Sequence, residues 1–209
     1  HTTVLVTEKQ MLDMIENTIY QIESYDITTI RASVPMFLLS QYIRDNTDIK
    51  VVLSGEGSDE ASGSYLYFHN APDPQSFQNE CIRLLQDVQY FDVLRGDKTT
   101  AGAGLEIRVP FFDKTFMEYY MSISPEKKMV RDNMEKYLLR KAFINDLPDD
   151  VVWRRKDGFS DGVSSFEKPW YQIVEEYAQK NYNMYVSDMY KHIYNKYYKS
   201  REMLYSLIL

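Results

Sequence analysis

The stretch Lys50-Val-Val-Leu-Ser-Gly-Glu-Gly-Ser-Asp-Glu60 decides how this chain is read. A short apolar run leads directly into a turn of small residues that carries three carboxylates, Glu56, Asp59 and Glu60. Unbroken apolar residues suit a strand buried on both faces, and in a parallel α/β sheet ligands bind beyond the carboxyl ends of such strands. The pattern therefore predicts a buried parallel strand over residues 50–53 with a ligand site in the turn that follows. Ser54, Gly55 and Gly57 would let a nucleotide approach the backbone closely, and Ser58 is placed to cap the next helix. Asp59 offers the hard oxygen that Mg²⁺ prefers. Taken alone, the same residues also fit a solvated acidic turn between a strand and a helix.

Working outward, residues 3–6 read as a strand, and Thr7 with Gln10 as a capping box opening a helix with the stripe Leu12, Ile15, Ile19 and Ile22. Residues 28–30 form a second β-branched run and residues 35–43 a second helix, so the third strand at 50–53 completes a βαβαβ rhythm. That order implies an α/β fold with parallel strands and right-handed crossovers. After Asp59 only helices are expected. Ala71-Pro-Asp-Pro74 opens an amphipathic segment with Phe77, Cys81, Leu84, Leu85, Val88 and Phe91 near one face, and residues 116–123 and 135–143 supply two more. Pro125, Pro148 and Pro169 punctuate this part. From Trp170 onward tyrosines recur at helical spacings, the pattern of a packing stripe or partner surface.

Composition narrows the class. The 209 residues are 44% hydrophobic, enough for one domain's core or most of a larger one, and the net charge of −7 argues against a nucleic-acid surface. An anionic substrate must then be met by a local basic group, and Trp153-Arg-Arg-Lys156 is a compact candidate. The single cysteine, Cys81, reads as a half-buried helix thiol, and nothing calls for an oxidising compartment. No apolar run approaches the ~20 residues of a membrane span, so the chain is expected to be soluble, intracellular and cytoplasmic. A strand-like stretch directly after His1 suggests a piece of a longer polypeptide. His1, His69 and His192 have no Cys or His at ligand spacing and receive no role.

Three further motifs follow the first in order: Arg95-Gly-Asp-Lys-Thr-Thr100, Gly104-Leu-Glu-Ile-Arg-Val-Pro-Phe-Phe-Asp113 and Trp153-Arg-Arg-Lys-Asp-Gly-Phe-Ser-Asp-Gly162. Together the four resemble the synthetase domain of glutamine-dependent asparagine synthetases. The likeness starts at His1, includes Tyr25-Asp-Ile-Thr-Thr-Ile-Arg-Ala-Ser33, and fades after about Ser165. It implies a parallel-sheet, adenine-nucleotide α-hydrolase-like (ATP pyrophosphatase) domain, with residues 1–209 forming part of it and a helix-rich carboxy-terminal portion. It implies ATP, Mg²⁺ and aspartate as ligands, ammonia or glutamine as nitrogen source, and leaves room for a homodimer of the whole protein. In the implied reaction the aspartate side chain attacks the α-phosphorus of ATP, and ammonia then displaces AMP.

Carried over residue by residue, Ser54 and Gly55 match nucleotide-binding positions and Asp59 a magnesium ligand. Glu56 matches the carboxylate implicated in forming or consuming the adenylate; β-lactam-forming relatives carry tyrosine there. Lys156 matches the lysine set against pyrophosphate, where a mobile ammonium suits charge that moves as a bond breaks. Arg154 reads as solvated, and Asp157 to Gly162 as a turn positioning the lysine, with Ser160 and Asp161 structural. Thr28 and Arg31, expected at the end of the second strand, match the stretch associated with aspartate recognition; a guanidinium there could pair with a carboxylate, or form a structural salt bridge. Alternation places Glu106 and Arg108 on one polar side of a strand, with Glu106 the catalytic candidate and an ion pair the alternative. The chain lacks the amino-terminal glutaminase domain, the first strand and the pyrophosphate loop of the family. A β-lactam synthetase-like ligase and a silent, binding-only paralogue remain alternatives.

Overall fold

The computed structural model describes residues 1–164 and 168–199. In chain order its helices and strands are α1 (Glu8–Ile22), α2 (Ile27–Asn46), β1 (Val51–Leu53), α3 (Ser58–Ser62), α4 (Pro74–Asp87), α5 (Asp92–Gly102), β2 (Glu106–Arg108), α6 (Lys114–Ser122), α7 (Pro125–Lys128), α8 (Tyr137–Ala142), α9 (Asp149–Val152), α10 (Phe159–Gly162), α11 (Trp170–Tyr182) and α12 (Val186–Tyr198). These fall into two units, one of His1–Val52, Leu94–Ile107 and the described part of Gly158–Leu209, the other of Leu53–Val93 and Arg108–Asp157.

The first unit is built on helix packing. The Thr7–Gln10 capping box closes the start of α1, satisfying amides that a helix's first turn leaves without partners. Met11, Ile15, Ile19 and Ile22 of α1 pack with Ile30 and Val34 of α2, with Trp170, Ile173, Val174 and Ala178 of α11, and with Met189, Tyr190, Ile193 and Tyr194 of α12. Each isoleucine, valine or methionine among them contributes on the order of 1.5–3 kcal/mol on leaving water. The tyrosine stripe is therefore packing: Tyr190 and Tyr194 are core, while the hydroxyls of Tyr197 and Tyr198 donate to Glu16 and to the Tyr20 carbonyl on α1.

Several expected elements differ. Residues 3–6 form no strand, and residues 28–30 lie in the first turn of α2 rather than in a second strand. The Asp26 carboxylate accepts from the Thr29 amide at 2.7 Å and caps the helix, after which Thr29, Ile30, Ser33, Val34 and Phe37 bury one face at helical spacing. Capping and packing thus overrule the β preference of the Thr-Thr-Ile run. The βαβαβ succession does not form among the described residues.

The strand at 51–53 is real and pairs with β2, which breaks the run of helices expected after Asp59 and lies where the alternation of Glu106 and Arg108 pointed to a strand. The Glu106 amide donates to the Lys50 carbonyl at 2.7 Å and the Ser54 amide to the Arg108 carbonyl at 2.9 Å, so the pairing ascends along both strands and they run parallel. Burial on both faces is not observed. Val52 packs against Phe37, Ala103 and Leu105, but Leu53 is 75% exposed, because β1 has only β2 beside it among the described residues. The sheet supports the coarse assignment, a helix-rich α/β domain.

The second unit has a small aromatic core, Phe68, Phe77 and Cys81, and Cys81 is fully buried rather than half-buried. Gly63, at φ 59°, lets the chain pass the Phe77 ring, which an added Cβ would meet at 2.4 Å. Lys128 is buried too, its ammonium donating to the Gln78 side chain at 2.6 Å and lying over the Tyr120 ring. The helix expected over 135–143 is shorter, Tyr137–Ala142, because Lys136 takes a left-handed conformation (φ 54°) that cannot belong to a right-handed helix.

Candidate active site

The turn after β1 is held from within. The Glu56 amide donates to the Ser54 hydroxyl at 3.4 Å and the Ser58 amide to the Gly55 carbonyl at 3.3 Å. Gly57, not Ser58, occupies the capping position of α3, at φ 88°. An added Cβ at Gly57 would come within 2.5 Å of the Phe112 ring, whereas one at Gly55 would meet nothing within 4 Å. The backbone at Gly55 is thus open, and that at Gly57 is fixed by its neighbour.

Asp59, in the first turn of α3, is the centre of an ionic cluster. Lys136 Nζ lies 2.5 Å from Oδ1, Lys156 Nζ lies 2.7 Å from Oδ2, and the Ser64 hydroxyl donates to Oδ1. Burial by itself would raise the Asp59 carboxyl; the Lys136 and Lys156 ammoniums outweigh it and hold the group at about 2. Two cations therefore meet on one carboxylate in an acidic chain.

The chain brings them there by two routes that are themselves tied together. Glu135, 5% exposed, pairs with His69 Nε2 at 2.6 Å, and its carbonyl accepts from Arg140 Nε at 2.8 Å, which fixes the backbone on the amino side of Lys136. Left-handed residues at Asp132 and Asn133 turn the chain into that position. Arg140 also donates to the Val152 carbonyl, and the Tyr137 and Trp153 rings lie 5.8 Å apart, so the segment leading to Lys156 is anchored to the one carrying Lys136. Arg154 and Arg155 are exposed, in keeping with a solvated Arg154.

Behind Asp59 lies a second acidic group. Glu60, 3% exposed, accepts from the Tyr65 hydroxyl at 2.6 Å, and Asp92 accepts from the same hydroxyl at 3.4 Å. Burial is the main reason the Glu60 carboxyl is pushed up, to about 7; the Tyr65 hydrogen bond opposes the rise and the charges of Asp92 and Asp59 add to it. Burial, then the two carboxylates, keeps the Tyr65 phenol protonated, and Lys156 Nζ sits 6.0 Å from the centre of its ring.

Of the residues singled out in the sequence, Ser54, Gly55, Glu56, Asp59 and Lys156 belong to the second unit, and Asp59 and Lys156 are in direct contact. Thr28, Arg31 and Glu106 belong to the first. Thr28 is exposed in the first turn of α2, and Arg31 lies within that helix rather than at a strand end, its Nε buried without a hydrogen-bond partner among the described residues. Glu106 and Arg108 both face outward from β2, as alternation predicts. The stretch expected to be a turn after Lys156 contains the one-turn helix α10, and the side chains of Ser160 and Asp161 lie outside the described ones.

Sequence reasoning missed Lys136, Tyr65 and the placing of buried Glu60 and half-buried Asp92 on one phenol. The Asp132-Asn133 pair, which tolerates left-handed backbone, was the one local signal of a tight loop before Lys136. A metal at Asp59 does not fit this arrangement: each oxygen already faces an ammonium, and a divalent cation would be repelled by both. Among the described residues there is no group of three or more His, Cys, Asp or Glu able to hold a metal, and no described helix is long and apolar enough to cross a membrane.

A parallel strand pair whose carboxyl end leads into a glycine turn, with two lysines gathered on the carboxylate beyond it, defines a helix-rich α/β protein with a charged cluster at the strand ends. The asparagine synthase family model matches residues 1–79 and 71–205, and the chain belongs to that family. It is similar to asparagine synthetase (glutamine-hydrolyzing) of Homo sapiens, at 47% identity over 181 residues, 86% of this chain and 32% of that protein. The proteins of the same name from Mus musculus and Gallus gallus are 46% identical, with the same shares covered. The chain thus spans about a third of the length of the curated relatives it matches.

Proposed function

We propose that this chain forms part of the ATP-dependent synthetase site of a glutamine-hydrolysing asparagine synthetase, in a domain of the ATP pyrophosphatase-like type. The observation that carries this reading is the convergence of Lys136 and Lys156 on Asp59 beside the Ser54-Gly-Glu turn. In the absence of substrate, Asp59 keeps two ammoniums together that would otherwise repel each other. A polyphosphate entering past the open backbone at Gly55 offers them a denser negative charge, and both lysines exchange the carboxylate for it.

In the proposed reaction an aspartate side-chain oxygen forms a bond to the α-phosphorus of ATP as the bond to pyrophosphate breaks. Ammonia then bonds to the acyl carbon, AMP leaves with the electron pair, and the nitrogen gives up a proton. Lys156, held less tightly than a guanidinium clamp, follows the charge onto the departing pyrophosphate. Glu56 faces the reacting acyl group and takes the proton or aids formation of the adenylate. Ser54 and Gly55 hold the nucleotide, Thr28 and Arg31 receive aspartate, and Glu106 is a further catalytic carboxylate. Any Mg²⁺ would arrive with the triphosphate and supply charge neutralisation; Asp59 could join it only after releasing its lysines.

The test is made on the full-length protein containing this chain, with ATP, aspartate and ammonium. Pyrophosphate, AMP and asparagine should appear in equal amounts, and Lys136→Ala and Lys156→Ala should each lower the rate. Pyrophosphate release that is no faster with aspartate than without it would sink the reading.

A further inference from the structure

Pro35 lies inside α2, and a helix proline has no N–H to give the carbonyl four residues back. That carbonyl belongs to Arg31. It is not left empty: the Trp170 indole Nε1–H, from the first turn of α11, donates to it at 3.1 Å. We propose that Trp170 is a positioning residue for Arg31, its indole N–H replacing the helix bond that Pro35 removes and so fixing the turn of α2 that presents Thr28 and Arg31. The inference rests on the proposed aspartate-binding role of Arg31.

Three observations on the same unit support it. Trp170 is 1% exposed and packs in one cluster with Ile30 and Val34, the residues flanking Arg31 on the buried face of α2. Its backbone is set by Pro169, which opens α11 and leaves Trp170 as the first helical residue. The Arg31 side chain, in turn, has an acceptor still to find: its Nε is buried with no hydrogen-bond partner among the described residues. A half-buried carbonyl deprived of its donor would recover one by bending the helix or admitting water, and either movement rotates the turn carrying Arg31. Paired guanidinium–carboxylate bonds depend on angle, so a small rotation weakens them. A tryptophan chosen for bulk alone would leave substrate affinity indifferent to its N–H.

The decisive replacement is benzothienylalanine at position 170 in the full-length protein, which keeps the ring shape and exchanges N–H for sulfur; Trp170→Phe is the genetic counterpart. Loss of one neutral hydrogen bond should raise KM for aspartate roughly three- to tenfold and leave KM for ATP unchanged. Pro35→Ala restores a backbone donor to the Arg31 carbonyl, so Trp170→Phe made in that background should have little further effect on aspartate. Equal rises in both KM values, a lower melting temperature with unchanged aspartate KM, or the same penalty with and without Pro35 would each overturn the proposal. Arg31→Ala separates the two levels. If it leaves aspartate KM unchanged, the aspartate-binding role itself fails; if it raises that KM while both Trp170 replacements do not, only the positioning role fails.

Discussion

The two units differ in the charge they bury: among the described residues the first buries hydroxyls and no carboxylate or ammonium, and the second adds three such groups to its buried serines. In the first, Thr18, Ser33, Ser40, Thr99 and Thr100 are buried hydroxyls, each returning its proton to a carbonyl of its own helix. In the second, Glu60, Lys128 and Glu135 are buried ionisable groups whose partners come from other elements. A hydroxyl satisfied within its own helix is indifferent to pH and adds nothing to tertiary specificity. A buried charge is costly unless its partners are in place. The first unit therefore behaves as an apolar scaffold, and the second as a network whose stability and chemistry share the same side chains.

The largest effect that tests this contrast is catalytic. Lys156→Ala in the full-length protein should cut aspartate-dependent pyrophosphate release by roughly 10²- to 10⁴-fold, while Lys136 keeps Asp59 paired and the melting temperature changes little. Lys156→Arg should recover only part of the loss. Wild-type release from Lys156→Ala would reduce the cluster to a structural ion pair.

Next in size is a cavity in the scaffold. Ile19, fully buried, should cost about 2–5 kcal/mol when changed to alanine, by the same amount at pH 5 and at pH 8. A cost that varies with pH would mean the helix core is coupled to titrating groups and the division of roles is wrong.

Glu60 should give a pH-dependent result instead. Its carboxyl is raised in the folded state, so the wild-type chain is favoured at low pH and loses stability as pH rises from the ordinary glutamate value of 4.5 through about 7. Glu60→Gln keeps an acceptor for Tyr65 and removes the charge. Urea titrations should show it equal to wild type near pH 4 and more stable, by up to about 3 kcal/mol, at pH 8. Parallel pH curves for the two proteins would contradict the buried-acid assignment.

Asp59 has the opposite sign and the smallest effect. Held at about 2, it contributes stability above pH 4 that is lost as pH falls toward 2. Asp59→Asn should lose about 2 kcal/mol less than wild type across that range, the remaining loss coming from other lowered carboxylates such as Glu135. An acid transition unchanged by the substitution would place the sensitivity elsewhere.

The sequence was most legible where chemistry is written locally. The Ser54 to Glu60 turn and Lys156 were found because a strand end, glycines and an isolated basic run announce themselves. Lys136 was not, because Asp132-Asn133 marks a tight loop without saying where it leads; the His69 and Trp153 contacts that place it join residues far apart in the chain. The Thr-Thr-Ile run misled because its β preference was weighed without Asp26, whose cap starts the helix one residue earlier. Had α2 been placed there, Pro35 would have stood four residues after Arg31 and the orphaned carbonyl would have been visible from the sequence. The exposed face of β1 was misjudged for a related reason: an apolar run reports what a strand can bury, not which neighbours this chain supplies.

Cys81 gives the second unit its own clock. It is the only thiol in the chain, fully buried against Phe68 and Phe77, and burial pushes its ionisation up to about 12. A thiol-reactive dye at neutral pH meets neither an accessible sulfur nor a thiolate until that aromatic cluster opens. Its rate of incorporation then counts openings of the charged unit, while Trp170, sealed in the other core, becomes an optical probe of the helical scaffold once Trp153 of the charged unit is changed to phenylalanine.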